Sequence, residues 1–143
     1  WVLVAPPAGE KGVGGTQLLL AKAATPDQLD RIERDFDGMA AATDTEELLE
    51  PDLAFHRHIA EATNNDLMAY IGNMLSLALR ESIVLSSQLP NTHELSLPRH
   101  EAILTAIRNR DPLAARQATL VKLQETDDDL SHVLSAKGIV DLA

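Results

Sequence analysis

From Thr25 onward the chain repeats one pattern: apolar residues spaced three and four apart, interrupted by short polar breaks. That spacing predicts a succession of amphipathic helices. Leu29, Ile32, Phe36 and Met39 form the first stripe, and Thr25-Pro-Asp-Gln28 opens it. Thr can cap the first free N–H groups, Pro at the first helical position has no N–H to leave unsatisfied, and Gln three residues on closes a capping box. The next helical stretch runs from Asp44 or Thr45 to about Thr63. Pro51 interrupts it, predicting either one kinked helix or two helices with Pro51 opening the second.

Asn64-Asn65 breaks the pattern and can cap a helix over roughly 66–87, with Leu67, Tyr70, Ile71, Met74, Leu75 and Ala78 expected on a single stripe. Residues 88–97 are expected to form a loop. A further helix carries His100, Ile103, Leu104 and Ile107. Asp111-Pro112 then opens a last helix, through Leu113, Leu120 and Leu123 to about Leu134, which Lys137-Gly138 ends. Before Thr25, a short extended piece (Trp1–Ala5) leads into a Pro- and Gly-rich linker to residue 15, and a short helix is expected at Thr16–Ala23. The expected architecture is all-α: one antiparallel bundle of about six helices over residues 16–137, with 138–143 as a tail.

Composition narrows the function. Aromatics are only 3% of the 143 residues, so the core must come from aliphatic side chains. With no Cys, disulfides and thiolate metal sites are excluded. A net charge of −10 repels phosphate backbones, so this chain alone is a poor nucleic-acid binder. It has no run of 18 apolar residues and no signal-peptide pattern, and the expected location is the cytoplasm. The start at Trp1, without Met, is what a fragment or processed product would show.

The candidate chemistry centres on Asp52-Leu-Ala-Phe-His56. Asp and His at i and i+4 project from one side of a helix. His100, 44 residues beyond His56, would complete most of a mixed nitrogen and oxygen site for a divalent metal if its helix packs alongside. A lone Asp-x-x-x-His pair is more often a first-turn acid and a surface histidine, and spacing alone does not bring two helices together. His58 lies about 200° around the helix from His56 and is expected to face solvent or a partner. His93 falls in the expected loop, from which it can reach the pocket mouth. Asn65 is first a helix cap and second a pocket residue. Arg80, mid-helix, is first a snorkelling or surface-paired residue and second a candidate counter-ion for a bound carboxylate. No Gly-x-Ser-x-Gly, Walker loop, dinucleotide fingerprint or His-Glu-x-x-His occurs.

In combination, Asp52-Leu-Ala-Phe-His56 with Asn65 nine residues on, Arg99-His100-Glu-Ala-Ile-Leu-Thr-Ala-Ile107 and Asp111-Pro-Leu-Ala-Ala-Arg116 resemble the effector domain of GntR-type transcription regulators, the FadR C-terminal or FCD domain. The resemblance covers roughly residues 16–135. It implies a helical, commonly dimeric bundle around a pocket, where one Asp and three His often hold a divalent metal of zinc or nickel type beside a small organic acid. It also implies that DNA is contacted only through an N-terminal winged-helix module, of which Trp1-Val-Leu-Val-Ala-Pro-Pro resembles the last wing strand. Asp52, His56 and His100 match three of the four ligands.

The fourth ligand position of that pattern, eleven residues after Asp111, holds Lys122. An ammonium has no lone pair for a metal and is repelled by one. Two arrangements remain open. Lys122 can replace the metal's charge, pairing with Asp52 and meeting an anionic effector; or metal stays on three ligands while Lys122 contacts the effector carboxylate. His132, ten residues further, is too far along the helix to substitute. The expected function is therefore a sensing and dimerisation domain for a small carboxylate, an anion site first and a metal site second. The rivals are a metal-dependent enzyme using Lys122 as acid or base, and a helical dimerisation module without ligand.

Overall fold

The computed structural model describes residues 24–139. The expected opening strand, linker and Thr16–Ala23 helix, and the end of the tail, lie outside them. Among the described residues there are five helices and no strand: α1 (Pro26–Ala41), α2 (Thr45–Glu61), α3 (Asp66–Ser86), α4 (Thr92–Arg108) and α5 (Pro112–Ala136). The chain is all-α.

Local signals explain most of the boundaries. The Thr25 hydroxyl accepts from the Gln28 N–H and the Gln28 side chain accepts from the Thr25 N–H, so the capping box forms. Asp44 caps α2 and Asp111 caps α5 through backbone N–H groups. Pro51 lies inside α2, at its seventh residue, and the helix continues through it. Its ring withholds one N–H from the helical ladder. Gly38 of α1 accommodates the ring, since a Cβ there would stand 3.2 Å from Pro51 Cβ and Cγ.

The expected loop at 88–97 is shorter than its sequence suggests. Helix α4 already begins at Thr92, and Pro98 sits at its seventh residue instead of its first. Pro98 reads as a start signal because proline is most at home there. The chain actually turns at Asn91, whose φ of 60° lies in the left-handed region that Asn tolerates.

Packing closes the five helices into a ring: α1 on α2, α2 on α3, α3 on α5, α5 on α4, and α4 back on α1. Short connections make sequence neighbours antiparallel. The apolar core lies between α1, α2 and α4, with Ile32, Met39 and Phe55 fully buried and Ile59, Leu104 and Ile107 around them. Helix α3 contributes no buried residue at all. Its expected single stripe divides: Leu67, Tyr70 and Met74 face outward, while Leu75 turns inward.

Helix α3 packs close against α2 at Gly72, where an added Cβ would fall 2.8 Å from the Ala60 methyl. Neither group has a flexible end to swing aside, so Gly72→Ala must push the two helices apart. A loss of about 1–3 kcal/mol is expected in urea denaturation, because overpacking forces backbone shifts. An unchanged midpoint would show that α3 yields without cost.

Candidate functional site

Two helices build the polar cluster. Asp52 and His56 project from α2 one turn apart, and His100 enters from α4. Phe55, wholly buried between them, meets both imidazoles edge-on, with ring centroids 5.6 Å from His56 and 5.4 Å from His100. The ligand atoms of Asp52, His56 and His100 all lie within 4.8 Å of one another. These three side chains form a group able to hold a metal ion.

The protonation states follow from the partners. His100 Nδ1 lies 3.0 Å from the Ser96 carbonyl oxygen, one turn back on α4. A carbonyl only accepts, so Nδ1 carries the proton and Nε2 presents its lone pair. Nε2 stands 3.8 Å from Asp52 Oδ1, too far for a hydrogen bond. His56 Nε2 approaches the same oxygen at 3.2 Å without hydrogen-bond alignment. Asp52 Oδ1 and His100 Nε2 are therefore both buried acceptors with no aligned hydrogen-bond donor.

Burial dominates at His100, pushing its pKa down to about 3 although Asp52 pulls the other way. At Asp52 burial also acts most strongly, raising the pKa. His56, His100 and Lys122 together more than reverse it and hold the carboxyl at about 2. At neutral pH the cluster is thus a carboxylate beside an uncharged His100, the forms that bind metals.

The cluster opens onto a cavity of about 120 Å³ enclosed by α2, α3, α4 and α5. Its wall is largely aliphatic, with Leu48, Ile59, Leu75, Leu79, Ile103 and Leu123. Lys122 of α5 lines the same cavity and donates to the Thr126 hydroxyl at 2.8 Å. Burial lowers its pKa, partly offset by Asp52. No direct Lys122–Asp52 ion pair forms within 4.0 Å, so that part of the first expected arrangement is corrected: Lys122 turns along its own helix instead. Arg99 fixes the register of α5 by pairing with Glu125 and Asp129.

Two expected effector residues fall elsewhere. Arg80 is exposed and faces Glu50 at 3.6 Å, because it lies about 100° around α3 from the cavity-lining Leu79. Asn65 caps α3, its Oδ1 accepting from the Leu67 and Met68 N–H groups, and does not line the cavity. His58, expected to face solvent or a partner, is half-buried, and its Nδ1 contacts the Asp35 carboxylate of α1. His132 bonds the Asp128 carbonyl of its own helix.

His93 reaches the cavity, but from a helix and not from the expected loop. It stands in the first turn of α4, lines the cavity and donates from Nε2 to the Met39 carbonyl of α1 at 2.8 Å. Its signal was hidden by the same misread Pro98. Ser96 gave a signal that could have been used: it lies four residues before His100, where a backbone carbonyl can orient a ligating imidazole.

Comparison with known proteins agrees with this geometry. The model of the FCD domain matches residues 16–125. The chain is 32% identical over 101 residues to the HTH-type transcriptional repressor NanR of Cronobacter sakazakii (strain ATCC BAA-894). The match covers 68% of this chain and 39% of that protein, so the chain spans about two-fifths of the relative's length. With the helical ring, the cavity and the family match in agreement, the chain belongs to the FCD family, the effector-binding domain type of GntR/FadR regulators.

Proposed function

We propose that this domain senses a small carboxylate in the cavity between α2, α3, α4 and α5, with a divalent cation on Asp52, His56 and His100. The observation that carries the reading is the pair of buried acceptors, Asp52 Oδ1 and His100 Nε2, facing each other with no donor between them. Such a pair is costly unless a cation satisfies both. When bound, the ion supplies a positive charge and open coordination positions for a carboxylate. Everything else is the work of the chain's own groups. Ser96 holds the His100 tautomer, Phe55 wedges both rings, and Lys122 offers a charged donor to the anion from the opposite wall. The small volume and aliphatic lining favour a short acid over a bulky one.

In the whole protein, ligand binding here would bias a DNA-binding module of the kind that the name of the NanR relative indicates, and the regulator would act as a homodimer. The enzyme reading is weaker, because Glu101, the carboxylate nearest His100 in sequence, is exposed and outside the cavity lining.

The test is elemental analysis of the unchelated domain, then titration with Zn²⁺ or Ni²⁺ and a panel of two- to six-carbon acids. A specific acid is expected to raise the melting temperature by mass action. Lys122→Met should keep the metal and weaken acid binding by about 10- to 100-fold, the worth of one charge-assisted hydrogen bond. Lys122→His should tighten metal binding by supplying a fourth ligand. Absence of metal together with no response to any acid would overturn the proposal, and unchanged metal affinity in Lys122→His would remove Lys122 from the site.

A further inference from the structure

A divalent ion held by the Asp52 carboxylate and the imidazoles of His56 and His100, which ligate only when uncharged, keeps a net positive charge. It does so inside a wall that is largely aliphatic, where an unbalanced charge is costly. Three protein donors also leave it one short of a closed set. Lys122 lines the same cavity from α5, and as an ammonium it adds to the imbalance. Asp52 is the charge that acts on it most strongly. Its Nζ donates to one hydroxyl, Thr126 Oγ1 at 2.8 Å, and among the described residues no carboxylate oxygen lies within 4.0 Å of it.

We propose that Lys122 takes up carbon dioxide, and that the carbamate so formed gives the cation its fourth donor beside Asp52, His56 and His100. The Nζ lone pair forms the new bond to the carbon of CO2, and one carbon–oxygen π pair moves onto oxygen. Starting from the ammonium, one CO2 is consumed and two protons pass to water; nothing is oxidised or reduced. The side chain changes from a positive to a negative charge, which brings the cation, Asp52 and the carbamate together to zero. The carbamate also lengthens Lys122 by about 2 Å, one C–N and one C–O bond, where the bare amine stops short of Asp52.

The surroundings of Lys122 suit the reaction. Thr126 holds the amine through a single N–H, and the carbamate nitrogen keeps one N–H to offer it. Burial lowers the Lys122 pKa, so the attacking amine form is more available than at an exposed lysine. The wall of Leu75, Leu79, Ile103 and Leu123 accommodates a small nonpolar molecule. Lys137, exposed just after α5, is the contrast. Carbamate and effector acid are alternatives at the cation, since either brings the missing negative charge; with acid bound, Lys122 is the ammonium that faces the anion. The proposal rests on the metal half of the sensing reading.

The test uses the full 143-residue chain in mildly alkaline buffer without organic acids, titrated with zinc under CO2-free argon and again with bicarbonate. Bicarbonate is expected to tighten zinc binding by about 10- to 100-fold, the range over which altered contacts shift metal affinity. Lys122→Met should show no such gain, and Lys137→Met should gain as the wild type does. Isotopically labelled bicarbonate should give one carbamate carbon resonance in the zinc-loaded wild type, a reading that needs no variant. Alkylation with triethyloxonium should trap that group on the peptide containing Lys122. Equal zinc affinity with and without bicarbonate, or no carbamate resonance, would each overturn the proposal and leave the metal reading standing. An equal gain in Lys122→Met would assign the effect to bicarbonate held directly by the cation and overturn it as well. No zinc binding under either condition would overturn both readings.

Discussion

Phe55→Ala is expected to cost the domain about 3–5 kcal/mol, the range for truncating a fully buried aromatic. Typical domains hold 5–15 kcal/mol in all, so the variant should sit near the edge of folding. Phe55 is fully buried, packs with Ile32, Met39, Ile59 and Leu104, and meets the His56 and His100 rings edge-on. Its removal therefore empties the core and releases the two histidines together. Phe55→Leu separates these roles. It refills most of the volume and should cost less than about 1.5 kcal/mol, yet it no longer wedges the imidazoles. Metal affinity is expected to fall by about 10- to 100-fold, as when a ligand loses its orienting neighbour. Urea denaturation gives the first quantity and metal titration the second. A stable Phe55→Leu with wild-type metal affinity would show that the rings are held by Ser96 and the backbone alone.

Acidification of the metal-free domain is the second large effect. His100 binds its proton at about 3 when folded and at 6.5 when free, and Asp52 at about 2 against 3.8. In both cases the folded value is the lower one, so the unfolded chain takes up protons first as pH falls. Stability is then full above pH 6.5, declines from 6.5 toward 3 through His100, and declines further from 3.8 toward 2 through Asp52. The His100 contribution is on the order of 5 kcal/mol across its window. Denaturation midpoints at pH 7.5, 5.5 and 4.5 in chelator should fall steadily, and His100→Gln should flatten that slope. An equal slope in the variant would mean that the acid sensitivity arises at other groups.

The sequence made the helical scaffold readable because its signals are local. The Thr25–Gln28 box, the Asp111-Pro112 start and the Asn65 cap each act within one turn, and each forms as expected. The Asp52–His56 spacing was legible for the same reason. That His100 meets them depends on α4 packing within the ring, and only the family resemblance suggested it beforehand. Where sequence reading failed, a tertiary contact outweighed a local preference. Pro98 lies inside a helix whose surrounding packing tolerates the lost hydrogen bond, and so hid that His93 is helical. The α3 stripe divides between the cavity and the outer face because an apolar pattern shows that a face is covered or exposed only once its neighbours are known.

The thinness of α3 has a thermodynamic consequence. One helix presents the cavity lining on one side and the outer apolar row on the other, with no buried residue of its own to anchor it. Any occupant of the cavity that displaces this helix alters the free energy of whatever binds outside, and the reverse change is equal in size. In the proposed homodimer, an acid that tightened subunit pairing tenfold would itself bind tenfold more tightly to the paired form. Titrating the acid at two chain concentrations, one below and one above the pairing constant, reads that exchange directly, and a shared affinity at both would mean that α3 insulates its two faces.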